Sequence, residues 1–126
     1  MPSLKERDML RLATCDVRWS ILLIKVFKQI PFMVVCGHRN EEKQNEAFRD
    51  GYTQVQWPNS KHNQEPSLAI DLCPLPVNWQ NTRHFFELAA YVWAESLKKD
   101  VPVIWGGSFS FGDYGHFELK GIQYNG

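Results

Sequence analysis

The sequence predicts one α+β domain, built as a small and mainly antiparallel sheet with flanking helices. Three observations lead there. A chain of 126 residues has the length of one ordinary domain with a core of its own. Segments whose apolar residues recur at helical spacing alternate with apolar runs of only strand length. The last two strand-like segments are joined by a loop too short to hold a crossover helix, so they are expected to pair antiparallel. With 44% hydrophobic, 13% aromatic and 22% charged residues, the composition is that of a compact globular protein.

Residues 4–13 place Leu4, Met9, Leu10 and Leu12 among charges, which predicts a short amphipathic helix with Ser3 as its cap. Asp16 caps the next helix, on which Val17, Ile21, Ile24 and Phe27 follow the helical rhythm while Trp19, Leu22, Leu23 and Val26 widen the apolar face. Ile30-Pro31 ends it. Phe32–Cys36, bounded by Pro31 and Gly37, reads as a buried strand. Asn40 then caps a helix over Glu41–Phe48. Tyr52–Ser60 is a loop, and Leu68–Cys73 a second buried strand stopped by Pro74 and Pro76. Residues 82–99 give the clearest helix, with Phe86, Ala89 or Ala90, Trp93 and Leu97 at helical spacing and Lys98-Lys99 at its negative end. Val101–Trp105 is a strand closed by Gly106-Gly107, Ser108–Gly115 a loop, and His116–Leu119 a half-buried strand. No repeat or linker interrupts this order, so residues 1–126 are expected to form a single domain.

Fourteen basic residues balance fourteen acidic ones, which removes the electrostatic reason to expect a nucleic-acid partner. The N-terminus lacks the basic start and unbroken apolar core of a signal peptide. The most apolar run, Trp19 to Ile24, is far short of the roughly 20 residues that span a bilayer. No membrane insertion is expected, and a monomer is. Cys15, Cys36 and Cys73 are odd in number and set among apolar residues, as reduced, mostly buried thiols of a protein made in the cytosol are.

Chemistry centres on the stretch from Asn59 to Leu72, which carries His62 and Asp71 at its two ends. Imidazole and carboxylate are both zinc donors, and a catalytic zinc takes three protein ligands. His116 also stands in polar surroundings beside a predicted strand, and Asp113 precedes it by three positions, where a carboxylate can take a proton from water. Taken alone, Asp113 reads equally as the cap of a loop after Gly112, and His62 and His116 as ordinary buried histidines. His38 reads as a turn residue and His84 as a helix-surface or core residue. The helical zinc-protease pattern His-Glu-x-x-His is absent.

Five blocks together carry a resemblance. Cys36-Gly37-His38-Arg39 with Gln44, Ser60-Lys61-His62, Ala69-Ile70-Asp71-Leu72, Val103-Ile104-Trp105-Gly106-Gly107, and Asp113 through His116 to Leu119 resemble, in order, the phage L-alanyl-D-glutamate peptidases. These endolysins are VanY-like zinc peptidases, related to the D-Ala-D-Ala carboxypeptidases and dipeptidases. The resemblance implies a hedgehog/D-Ala-D-Ala peptidase-like zinc peptidase fold in which residues 1–126 form a single catalytic domain without a separate cell-wall-binding one, with one catalytic Zn2+ on His62, Asp71 and His116. It implies Asp113 as general base and Arg39 as the donor to the scissile carbonyl or a substrate carboxylate. Gln44, Ser60 and Trp105 match further substrate-site positions, although Gln44 can serve only to orient Arg39, and Trp105 by itself reads as a core residue.

The expected activity is therefore hydrolysis of the L-Ala-D-Glu bond in the peptidoglycan stem peptide, by an endolysin made in the host bacterial cytoplasm and acting on the wall to lyse the cell. A D,D-carboxypeptidase or D-Ala-D-Ala dipeptidase shares every ligand and is the alternative; a non-catalytic zinc module that binds peptidoglycan is a further one. Two departures stand out. His62 and Asp71 lie nine positions apart, more than is usual in the family, with Pro66-Ser67 where a glycine is common. Ser108-Phe109 replaces an acidic residue and a tryptophan after the glycine pair.

Overall fold

A computed structural model describes residues 3–121, so the outermost ends of the expected 1–126 domain lie outside the described residues. The elements run α1 (Glu6–Leu12), α2 (Val17–Gln29), β1 (Phe32–Cys36), α3 (Glu41–Arg49), β2 (Ala69–Pro74), α4 (Thr82–Lys99), β3 (Val103–Trp105) and β4 (His116–Leu119), with 3-10 turns at Lys61–Asn63 and Gly106–Ser108. Every expected helix and strand is present, in the expected order. The four strands form one sheet, β1-β2-β4-β3, antiparallel throughout.

Helices α2 and α4 pack on one another and, from one face, supply much of the core: Trp19, Leu22, Leu23, Val26, Leu88 and Val92 meet Phe32, Ile70, Leu72, Phe117 and Leu119 from the sheet. The buried Trp19 indole N–H donates to the Leu68 carbonyl at 3.1 Å, which sets the rotation of α2. That rotation leaves Val17 (68% exposed), Ile21 and Ile24 outside, so the apolar stripe expected from 17, 21 and 24 is displaced to 19, 22, 23 and 26. Helix α4 shows the same offset. Phe85, Leu88, Ala89 and Val92 face inward, while Phe86, Trp93 and Leu97 are exposed. Apolar residues surround most of both helices, and spacing alone cannot choose between neighbouring stripes.

Helix α1 begins at Glu6 with Lys5, not Ser3, as its cap residue. The buried Asp8 explains this, since its carboxylate accepts the Lys5 N–H at 3.3 Å and the Val34 N–H of the sheet edge at 2.9 Å. Arg11 donates to the Val34 carbonyl at 2.9 Å. Together they satisfy backbone groups that edge strand β1 would otherwise leave unpaired.

The extra residues between His62 and Asp71 are anchored against the corner between α1 and α2. Ser67 accepts from the Asp16 N–H and donates to the Thr14 carbonyl, both at 2.9 Å. The longer connection is therefore packed along the N-terminal corner, and Leu68 N–H still reaches the Lys61 carbonyl at 3.2 Å. Gly37 faces this corner too, where an added methyl would come within 2.6 Å of the Arg11 carbonyl.

Candidate active site and metal centre

Register places the first donors. Asp71 on β2 pairs with Cys36 on β1 and with His116 on β4, so the three leave one face of the sheet as a cross-strand row. A bulge between Val34 and Cys36 turns the end of β1 toward that row. His62 arrives from the 3-10 turn Lys61–Asn63, capped by Ser60, whose hydroxyl accepts the His62 N–H at 3.1 Å. The Arg39 N–H holds the His62 carbonyl at 2.8 Å.

Both histidines are oriented by their outer ring nitrogens. His62 Nδ1 donates to the Gly37 carbonyl at 2.7 Å, because a carbonyl only accepts. Nε2 is therefore aimed at the site. It is buried, lies 3.2 Å from Asp71 Oδ2, and makes no hydrogen bond of acceptable geometry. His116 Nε2 meets Glu118 Oε1 at 2.9 Å and Nδ1 meets Asp71 Oδ1 at 2.9 Å. A carboxylate or carbonyl on the far side of a ligating imidazole is the usual outer-shell partner in metal sites.

Such a row needs positive charge. Burial by itself would lower the His62 pKa, but Asp71 raises it to about 10. Burial opposes and Asp71 and Glu118 favour protonation of His116, with the result at about 9. Burial would raise the Asp71 carboxyl, and the two histidines instead hold it far below the ordinary carboxylate range. The donor atoms form two overlapping sets, each within 4.8 Å: Cys36, His62 and Asp71, and Asp71, Asp113 and His116. His62 and His116 stand in different sets joined by Asp71, with ring centroids 5.2 Å apart. Nitrogen and carboxylate donors that converge on a buried nitrogen lacking a hydrogen bond fit a borderline cation such as zinc.

Asp113 stands at the rim on the turn after the second 3-10 segment. Its N–H donates to the Gly106 carbonyl at 2.9 Å, and its own carbonyl accepts the His116 N–H at 3.2 Å. Gly106 permits this closure, because a Cβ there would strike the Asp113 carbonyl. Partial burial, then the Asp71 charge, raise the Asp113 pKa. Arg39 lies 3.6 Å from Asp71 and donates to Gln44 Oε1 at 3.0 Å. Gln44, wholly buried, also accepts from Asn63 and donates to the Val55 carbonyl. Arg39, Ser60, His62, Asp71, Asp113 and His116 thus line one cavity of about 480 Å³. Gln44 stands behind Arg39. Trp105 donates its indole N–H to the Tyr114 carbonyl at 2.7 Å and supports the Asp113 turn from outside that cavity.

The family model for phage L-alanyl-D-glutamate peptidases matches residues 3–123. The chain belongs to that family. It is a peptidoglycan endopeptidase. The Serratia marcescens L-Ala D-Glu endopeptidase ChiX shares the fold with a TM-score of 0.79 and 24% identity, over 91% of this chain and 87% of that one. A point mutant of the vancomycin resistance D,D-pentapeptidase VanY, from a VanB-type cassette and in complex with Zn(II), gives 0.61 and 18%, over 86% and 74%. A search of curated protein sequences finds no match.

This family member carries groups at its site that spacing did not single out. Cys36, expected as a mostly buried thiol at the head of the first family block, is partly exposed and borders His62 and Asp71. Burial raises its pKa, but the hydrogen bond and charge of His62, with Arg39, lower it overall. Glu118 orients His116. Alternation along His116–Leu119 marks Glu118 as a residue on the same side as His116, a signal available in the sequence. The place of Cys36 beside Asp71 depends on the pairing of β1 with β2.

Proposed function

We propose that this peptidase uses one zinc ion, held by His62, Asp71 and His116, to hydrolyse the L-Ala-D-Glu bond of the stem peptide and so lyse a phage-infected host. The observation that carries the reading is the pair of buried histidines, each with one nitrogen committed to a protein oxygen and the other directed at Asp71. The Zn(II) in the VanY neighbour supports it.

When bound, zinc supplies a Lewis acid that polarises a carbonyl and acidifies water. Asp113 takes a proton from the attacking water and returns it to the leaving amine as the C–N bond breaks. Its raised pKa suits both halves of that transfer. Arg39 offers donors to the carbonyl oxygen as negative charge develops there. Gln44 and Asp71 hold the guanidinium in advance, so little reorganisation remains. Ser60 positions His62 and lines the pocket; Trp105 positions the turn that bears Asp113.

The test is elemental analysis of the purified protein combined with mass spectrometry of digested muropeptides. One equivalent of zinc, lost in His62→Ala, with new L-Ala carboxyl and D-Glu amino ends, is the expected result. Release of free D-Ala instead would assign the chain to D,D-carboxypeptidase chemistry.

A further inference from the structure

We propose that the substrate groove has two unlike halves that orient the stem peptide: an aromatic half built on Trp79 takes the alanyl, sugar-bearing end, and a half that carries the Lys61 cation takes the glutamyl end. The inference rests on cleavage of the L-Ala-D-Glu bond and adds the direction in which the substrate lies.

A second cavity of about 410 Å³ adjoins the first. Arg39, Tyr52, Asp71 and Asp113 line both, so a continuous groove crosses the reacting centre. Its far walls differ in chemistry. On one side stand Trp79, Phe85 and Tyr114 with Val35 and Leu72. On the other, Phe109 and Phe111 stand beside Asn59, Ser60 and Lys61, so what sets this side apart is its amide, hydroxyl and ammonium groups.

Trp79 is the exposed indole that lines this groove. It is 58% exposed, and its ring stacks on the buried Phe85 with centroids 5.9 Å apart and planes 27° from parallel. Phe85 on α4 thus supports the indole from one side. A turn in which the Asn81 N–H meets the Asn78 carbonyl at 3.0 Å fixes the backbone around it. An indole held rigid and left open to water is a low-entropy platform for an apolar or amphipathic ligand face.

The substrate is asymmetric in the matching sense. On the acyl side of the scissile bond lie the alanine methyl and, beyond it, the lactyl group and sugar that join the stem to the glycan. On the amine side lies a glutamyl residue with a carboxylate. Lys61 supplies a cation for that carboxylate, whereas the aromatic half offers none beyond the shared Arg39.

The zinc-loaded enzyme is assayed on two soluble substrates: a muramoyl stem peptide, and the same peptide with an acetyl group in place of the sugar. Trp79→Ala should lower the ratio of kcat/KM for the first over the second by about tenfold, the size expected for loss of one aromatic contact. Trp79→Phe should restore much of that ratio, and zinc content and Tm identify any variant that fails to fold. Lys61→Met should raise KM for a substrate with a free glutamyl carboxylate more than for its carboxamide. Equal losses on the two stem substrates, or a ratio unchanged in both Trp79 variants, would overturn the assignment. Cleavage of neither substrate by the wild-type enzyme would overturn the L-Ala-D-Glu reading and this inference with it.

Discussion

Asp71 offers one carboxylate oxygen to each of two histidines, at 3.2 Å and 2.9 Å, and this geometry couples metal to protons. Against burial, Asp71 raises His62 to about 10 and, with Glu118, raises His116 to about 9, so a zinc ion held by both imidazoles, as we propose, displaces protons from them on binding. Calorimetric zinc titrations at about pH 7.5, in buffers of different ionisation enthalpy, should therefore report close to two protons released per ion. Release of none would separate the metal from these residues. Because the folded pKa values lie above the unfolded one near 6.5, the stabilisation from these pairs is fully present below about pH 6.5. It is lost as pH rises through about 9 to 10. The Tm of chelator-treated protein should fall across that upper range. Asp113→Asn should reduce turnover by about 10² to 10⁴, the range of a general base, with zinc content unchanged; full activity would remove Asp113 from that role. Cys36→Ser should keep one equivalent of zinc, and loss of the ion in that variant would add the thiol to the ligand set.

At the scale of elements, the Asp113 turn owes its position to two supports, the close approach at Gly106 and the indole hydrogen bond of Trp105. Trp105→Phe keeps an aromatic ring against Phe86 and Tyr114 and removes the donor. A hydrogen bond has a net worth of about 1 kcal/mol, so kcat should fall on the order of tenfold while zinc binding and KM for the stem peptide change little. A fall in zinc content of similar size would show that the indole holds the ligands rather than the base. The existence of every helix and strand was legible in the chain because caps, prolines and apolar spacing act locally. The rotation of α2 and α4 was not. It depends on Trp19 reaching Leu68 across 49 positions, a contact that periodicity cannot encode.

For the molecule as a whole, a buried charged row drawn from three strands and a 3-10 turn implies that metal binding and folding are linked. Zinc at about a thousand times its Kd contributes about 4 kcal/mol, so chelation should lower Tm on the order of 10–20 °C for a chain of this size. A Tm indifferent to chelator would contradict a metal held by these residues. No helix among the described residues is long and apolar enough to cross a membrane.

By itself the sequence determined the α+β class, the element order, the caps at Asp16 and Asn40, and the set of blocks that marks the family, because each of these rests on residue type and short-range spacing. Tertiary structure decided what depends on contacts between distant residues. Sheet register set Asp71 between Cys36 and His116. Hydrogen-bond partners such as Gly37 and Glu118 decided which nitrogen of each histidine is turned toward Asp71. The same long-range packing anchored the longer His62 to Asp71 connection at Ser67 and left Trp79 open at the far end of the groove. Burial and pairing raise the cost of every unmatched polar group, and only the folded chain reveals which groups are matched.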